Sequence, residues 1–211
     1  MPPASPRVAV IDYGAGNLRS VAKAVERSRL AVEVCADAAA LRHYDAIVLP
    51  GVGAFADAMG SLRAKGIDAA VRAAIEAGKP YLGLCLGLQV LFESSDEHGL
   101  TPGLAILEGR VERFPESHPL PVPHIGWNTV AWSGAHPMLA ELPREDVYYF
   151  VHSYRVVAAP PGDVVGSVDY AGPFIAAVAR ENVFAVQFHP EKSQSAGKRV
   201  LDAFAAWLRA C

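Results

Sequence analysis

The first half of the chain is patterned by short apolar runs, each leading through a turn to apolar positions at helical spacing. Arg7–Ile11 (Arg-Val-Ala-Val-Ile) has no polar residue after Arg7 and predicts a strand buried on both faces, ending at Asp12. Leu18, Val21, Ala22 and Val25 then recur as one face of a helix. Val32–Cys35 and Ala46–Leu49 predict the next two strands, and between them Asp37 is placed to cap an Ala-rich turn. Helical patterns cover Phe55–Ala64 and Ile67–Ala77, with Gly78 as the stop. The run after Lys79-Pro80 is long enough for one more buried strand, and Leu86, Leu88, Val90, Leu91 and Phe92 predict an apolar helix behind it. Such alternation predicts a parallel sheet with helices on both faces. Loops leaving the C-terminal strand ends share a rim, so Asp12–Asn17, Pro50–Phe55 and Cys85 are expected side by side.

The pattern changes after Glu93-Ser94-Ser95-Asp96-Glu97, which reads as a polar loop. Leu104–Phe114, Thr129–Trp132, Val147–Val157, Val164–Tyr170, Phe174–Arg180 and Val183–Phe188 are strand-like and lack long helices between them. Glu181-Asn182 has the character of a hairpin turn, and Pro115–Pro123 that of an exposed loop. Gly197–Ala210 closes the chain as a helix turning Val200, Leu201, Phe204, Trp207 and Leu208 to the core. The expectation is one domain over residues 1–211, an α/β three-layer sandwich. Its central sheet is mixed and mainly parallel, flanked by helices, with an antiparallel extension.

Composition narrows the function classes. At 211 residues and 52% hydrophobic, the chain has enough apolar residues for one full core. A formal charge of −3, mixed along the chain, gives neither a basic face for nucleic acid nor an acidic tail. Cys35, Cys85 and Cys211 are odd in number and far apart. They suit neither a disulfide framework nor a metal site, so a reducing cytoplasm is the expected setting. Met1-Pro2-Pro3-Ala4-Ser5-Pro6 lacks the apolar core of a signal peptide, and no run approaches the roughly 20 residues needed to span a bilayer.

Gly83-Leu84-Cys85-Leu86-Gly87 has the plan of a nucleophile elbow: strand, tight turn with the reactive residue at its tip, helix. A thiol there faces a helix N-terminus, which favours the thiolate. The same pattern also suits a small buried structural cysteine, the commoner fate of a free thiol. Asp12-Tyr13-Gly14-Ala15-Gly16-Asn17 lacks the third glycine of a dinucleotide loop and reads as a plain strand-to-helix turn. A thiol nucleophile needs a base, and the base a group to orient it. His43, His98, His118 and His136 lie in polar or loop-like stretches; His124 and His152 stay open. His189 ends the apolar strand Val183–Phe188, and Glu191 follows two residues on. Extended, the two side chains would lie about 7 Å apart on one face. A bend at Pro190 would bring them into contact.

Taken together, the Gly-x-Cys-x-Gly elbow, Pro50-Gly51-Val52-Gly53 and His189-Pro190-Glu191 resemble the triad-type (class I) glutamine amidotransferases. The order Cys, His, Glu matches, and the resemblance spans nearly the whole chain. Asp12–Asn17 and Gln187–Ser193 also support it, and Gly126-Trp127-Asn128 and Tyr149-Phe150-Val151-His152-Ser153-Tyr154 narrow it to members that feed a separate synthase (cyclase) subunit. The resemblance implies hydrolysis of L-glutamine through Cys85, His189 and Glu191. Oxyanion donors would be the Leu86 N–H and a peptide N–H of Gly51–Gly53, at Val52 or Gly53. Substrate contacts would come from Gly51, Gly53, Gln89, Glu97, Ser153 and Tyr154. Asn17, Trp127, Asn128, Tyr149 and Lys192 would face the partner, although Trp127 on sequence grounds alone reads as core. No metal or organic cofactor is implied. The partner would join ammonia to a phosphoribulosyl aminoimidazole-carboxamide nucleotide, in a heterodimer. Rival readings are a glutaminase feeding anthranilate, aminodeoxychorismate or pyridoxal phosphate synthesis, a non-catalytic subunit, and a thiol-sensing α/β protein.

Overall fold

In the computed structural model, which describes residues 5–211, the apolar runs become strands, and Ala46–Leu49 and Tyr81–Leu84 are buried along their whole length, whereas the edge strand at Ala31–Cys35 is mostly exposed. Met1–Ala4, part of the segment read for a signal peptide, lie outside the described residues. The first half contains β1 (Arg7–Ile11), α1 (Leu18–Glu26), β2 (Ala31–Cys35), β3 (Ala46–Leu49), α2 (Phe55–Ala64), α3 (Ile67–Glu76), β4 (Tyr81–Leu84) and the one-turn α4 (Leu86–Gln89). Asp37 caps the 3-10 turn after β2 by accepting the Ala39 N–H at 2.8 Å. The second half contains β5 (Ser94–Ser95), β6 (Thr101–Pro102), β7 (Arg110–Arg113), β8 (His124–Trp132), β9 (Glu145–His152) and β10 (Tyr154–Val157). After them come β11 (Val164–Asp169), β12 (Pro173–Arg180), β13 (Val183–Val186) and α5 (Gln194–Ala210).

Among the described residues the strands form one mixed sheet in the order β2-β1-β3-β4-β13-β12-β10-β7-β5-β6, with β11, β8 and β9 branching from β12. The pairs β2/β1, β1/β3, β3/β4 and β4/β13 are parallel. From β13 outward the sheet turns antiparallel, apart from the short β5/β7 pair. Because both faces are covered, the central strands are apolar throughout. Val8 and Val10 pack with α1, α5 and the β8–β9 hairpin, whereas Ala9 and Ile11 pack with α2 and α3. No helix among the described residues is long and apolar enough to cross a membrane.

Two expectations fail together. The elbow helix stops at Gln89 and does not run on to Phe92, and only Arg110–Arg113 of the stretch Leu104–Phe114 is strand. The carbonyls of Val90, Leu91 and Phe92 accept the N–H groups of Leu104, Ile106 and Ala105 at 2.7–3.1 Å. Those bonds end the helix and divert the second segment from the sheet. Smaller differences follow from pairing. Ser94–Ser95, read as loop, joins β7; Val147–Val157 splits at Ser153 into β9 and β10; Thr129–Trp132 extends back to His124 against β9.

Candidate active site

β4 delivers Cys85 to the rim with φ 53° and ψ −103°, a conformation that L residues rarely adopt. The turn can be this tight because of the glycine behind it. A Cβ on Gly87 would stand 1.9 Å from the Leu49 carbonyl oxygen. The helix beyond is one turn, too short for a sizeable dipole, so stabilisation of a thiolate falls to neighbouring side chains.

His189 follows β13, and a 3-10 turn over Pro190–Lys192 folds Glu191 back towards it. The bend brings His189 Nδ1 to 2.9 Å from Glu191 Oε1, where an extended course would leave them apart. Both side chains are buried, and His189 Nε2 has no protein partner. Burial disfavours the imidazolium, but Cys85 and Glu191 outweigh it and push the His189 pKa up to about 10. The backbone is fixed as well. The His189 N–H donates to the Tyr149 carbonyl at 3.0 Å, and Ser193 Oγ donates to the His189 carbonyl at 2.6 Å.

The two other open histidines are committed elsewhere. His152 Nδ1 lies 2.8 Å from the Tyr154 carbonyl, which only accepts, so Nδ1 carries the proton. Its Nε2 lies 3.1 Å from His124 Nδ1 and must accept from it. No lone pair is left for a thiol. Burial pushes His152 down to about 3 and His124 down to about 4.

Cys85 opens into a cavity of about 390 Å³. Val52, Gly53, Leu86, Gln89, Glu97, Ser153 and Tyr154 line it, together with His152 and Lys192. Glu97 uses one carboxylate oxygen on the Phe55 N–H at 2.7 Å. Gly51 is placed differently: it lines a narrow cleft shared with Asn17, His189, Glu191 and Lys192. A Cβ there would meet Tyr13 Oη at 2.6 Å and Leu86 Cβ at 2.7 Å. Tyr13 is pushed up to about 12 by burial and by Cys85, against the pull of the Val52 N–H. Among the described residues no cluster of His, Cys, Asp and Glu could hold a metal ion.

Trp127 corrects the reading of it as core, because it is 49% exposed on the β8–β9 hairpin beside Ile125 at 60% and Val147 at 44%. It stands across from Tyr149, with ring centroids 5.8 Å apart, and Lys192 Nζ lies 5.9 Å from the Tyr149 ring. The period-2 alternation of β8, with Val130 inward, carried that signal. Asn17 caps α1 through the Ser20 N–H, and Asn128 donates to the Asp169 carbonyl, so both side chains have structural tasks. Sequence reasoning missed Gln187, which is fully buried with Nε2 3.6 Å from Cys85 Sγ. The available signal was its place two residues before His189.

A family model described as "Glutamine amidotransferase class-I" matches residues 9–206. The chain is 50% identical to the imidazole glycerol phosphate synthase subunit HisH of Methylococcus capsulatus, covering 95% of this chain and 96% of that protein. It is 47% identical to a Synechococcus protein of the same name, covering 97% of this chain and 94% of that one. Among solved structures, PurLQS from Thermotoga maritima aligns with a TM-score of 0.78 at 22% identity, covering 97% of this chain and 100% of that chain, a likeness of fold. The chain therefore belongs to the class-I glutamine amidotransferase family.

Proposed function

We infer that this chain is the glutaminase subunit of an imidazole glycerol phosphate synthase, hydrolysing L-glutamine to glutamate and ammonia for histidine biosynthesis. The observation that carries the chemistry is the buried His189, bonded to Glu191 through Nδ1 and unpartnered at Nε2 beside Cys85. That is the division of labour of an oriented general base. A thiol-sensing protein has no need of it.

In this reading Cys85 Sγ attacks the side-chain amide carbonyl of glutamine and forms a tetrahedral oxyanion. The Leu86 N–H and a peptide N–H at Val52 or Gly53 stabilise that oxygen, each worth about 100- to 1,000-fold in rate. His189 Nε2 protonates the departing ammonia, leaving a thioester, and then takes a proton from the attacking water. The second oxygen of Glu97 receives the substrate's α-ammonium, and Gln89, Ser153, Tyr154 and the Gly51–Gly53 backbone complete the substrate contacts.

The same reading treats residues 1–211 as one amidotransferase domain working in the cytoplasm, where free thiols such as Cys35, Cys85 and Cys211 persist. Trp127, Tyr149 and Lys192 form the face for the synthase (cyclase) subunit, joined by Asn17 and Asn128, in a heterodimer. Large exposed apolar side chains grouped on one hairpin support that role. Ammonia made without an acceptor is wasted, so the isolated chain is nearly silent and its partner turns the Val52 peptide towards the oxyanion. Gly53, at φ 97°, leaves that peptide room to turn.

The test is glutamate formation from glutamine by the chain alone, with the synthase subunit, and with synthase plus its nucleotide ligand. Activity in the full mixture that disappears in Cys85→Ala supports the reading. Turnover by Cys85→Ala refutes the nucleophile. Full activity of the isolated chain refutes the gate.

A further inference from the structure

Gln187 has no part in the mechanism above, yet it is fully buried and reaches the reacting sulfur. Its orientation is forced by a chain of bonds that begins at an atom which can only accept. The Tyr154 carbonyl, 3.0 Å from the Gln89 side chain, requires the NH₂ end of that amide. The second hydrogen of the same NH₂ group points to the Gln187 side chain at 3.1 Å, which must then present its oxygen. With Oε1 so committed, Gln187 turns its own NH₂ to Cys85 Sγ at 3.6 Å. Reversing Gln89 would set its carbonyl oxygen against those of Tyr154 and Gln187, and reversing Gln187 would set two NH₂ groups against each other, in either case at the cost of a buried unmade hydrogen bond.

A fixed N–H donor discriminates between the two forms of the thiol. Bonds to the ionised form are the stronger, so the donor favours the thiolate. The one-turn α4 offers little help from a dipole. We propose that Gln187 is a further catalytic residue, an N–H donor whose polarity is set by Gln89 and Tyr154 and which holds Cys85 as a thiolate. The proposal rests on the reading of Cys85 as the nucleophile.

The experiment is the pH dependence of Cys85 alkylation by iodoacetamide in the full chain, read on the Cys85 peptide by mass spectrometry so that Cys211 does not contribute. Gln187→Met keeps the volume and removes the donor; its midpoint should rise by about one pH unit. Gln187→Glu keeps an acceptor for Gln89 but sets a carboxylate oxygen against the sulfur, and its midpoint should rise further. Midpoints equal to wild type in both folded variants overturn the proposal. Where the variants do not fold, the wild-type protein decides. Its Gln187 side-chain amide signal in NMR should follow the Cys85 titration, and a signal that ignores it overturns the proposal. The underlying reading is tested separately by glutamate formation in the complex. Turnover by Cys85→Ala removes the reading, whereas an essential Cys85 with an unmoved midpoint removes Gln187 alone.

Discussion

His189 stands beside the Cys85 sulfur, and His152 lines the cavity into which that sulfur opens, yet their ring nitrogens are spent in opposite ways. His189 bonds a carboxylate through Nδ1 and keeps Nε2 unpartnered, so its charged form is favoured and one nitrogen remains for chemistry. His152 donates to a main-chain carbonyl and accepts from His124, which stacks on Tyr170 at 3.9 Å and Phe150 at 4.9 Å. It is neutral, saturated and structural. Burial alone predicts the same fate for both. The difference comes from what faces each ring, a carboxylate and a thiol in one case and a neutral aromatic nest in the other.

Kinetics should separate the two sites most widely. Cys85→Ala and His189→Ala should each lower glutamate formation in the complex by about 10⁴-fold. His152→Gln, which keeps a donor for the Tyr154 carbonyl, should lower it by less than about tenfold. An equal loss at His189 and His152 would break the comparison. Glu191→Gln falls between them. It leaves His189 in place but weakens its orientation, for an expected drop of about 100-fold in kcat with KM little changed. A loss as large as that of His189→Ala would mean that the carboxylate itself handles the proton.

The two sites also titrate in opposite directions, so stability against pH reads them apart. The folded-state pKa of His189, about 10, lies above its ordinary 6.5. Its contribution is complete below about pH 6.5 and is lost as pH rises through 10. For His152 the folded value of about 3 lies below 6.5, so its contribution is complete above 6.5 and is lost as pH falls towards 3. Each group can tilt the curve by at most about 1.4 kcal/mol per pH unit. Urea unfolding from pH 4 to 10 should show both limbs. Cys85→Ala removes a partner that holds the His189 charge and should flatten only the alkaline limb. His152→Gln should flatten only the acid limb.

The sequence distinguishes these histidines only in part. His189 stands out because an apolar strand leads to it and Glu191 follows, features visible in a linear pattern. The saturation of His152 depends on pairing with His124 across β8 and β9, a register that no local pattern encodes. The same division runs through the fold. β1, β3 and α2 have the bounds their apolar patterns predict, because both faces of the parallel sheet are covered and composition alone marks the strand. The elbow helix and the Leu104–Phe114 stretch depart from pattern for one shared reason, the bonds between the Val90–Phe92 carbonyls and Leu104–Ile106. Gln187 was hidden likewise, since an apolar strand with one polar residue does not say which neighbour satisfies it.

The smallest expected effect concerns strain, which also lies on one side only. His152 ends β9, a strand in regular pairing with β8, whereas Cys85 sits at φ 53° in the turn between β4 and α4. A side chain at positive φ brings Cβ against the following carbonyl, at a cost of about 1–2 kcal/mol for any residue but glycine. Cys85→Ala keeps the Cβ and hence the strain; Cys85→Gly removes both. The comparison between those two variants cancels the loss of the sulfur and leaves the strain set against one buried methyl and the extra freedom of a glycine in the unfolded chain. These terms are of similar size, so Cys85→Gly should fall within about 1 kcal/mol of Cys85→Ala in urea unfolding, although both are inactive. A glycine variant less stable than the alanine by clearly more than about 1 kcal/mol would mean that the elbow is held without strain. The tight turn would then be no cost of presenting the thiol, and the two sides of the cavity would differ in chemistry alone.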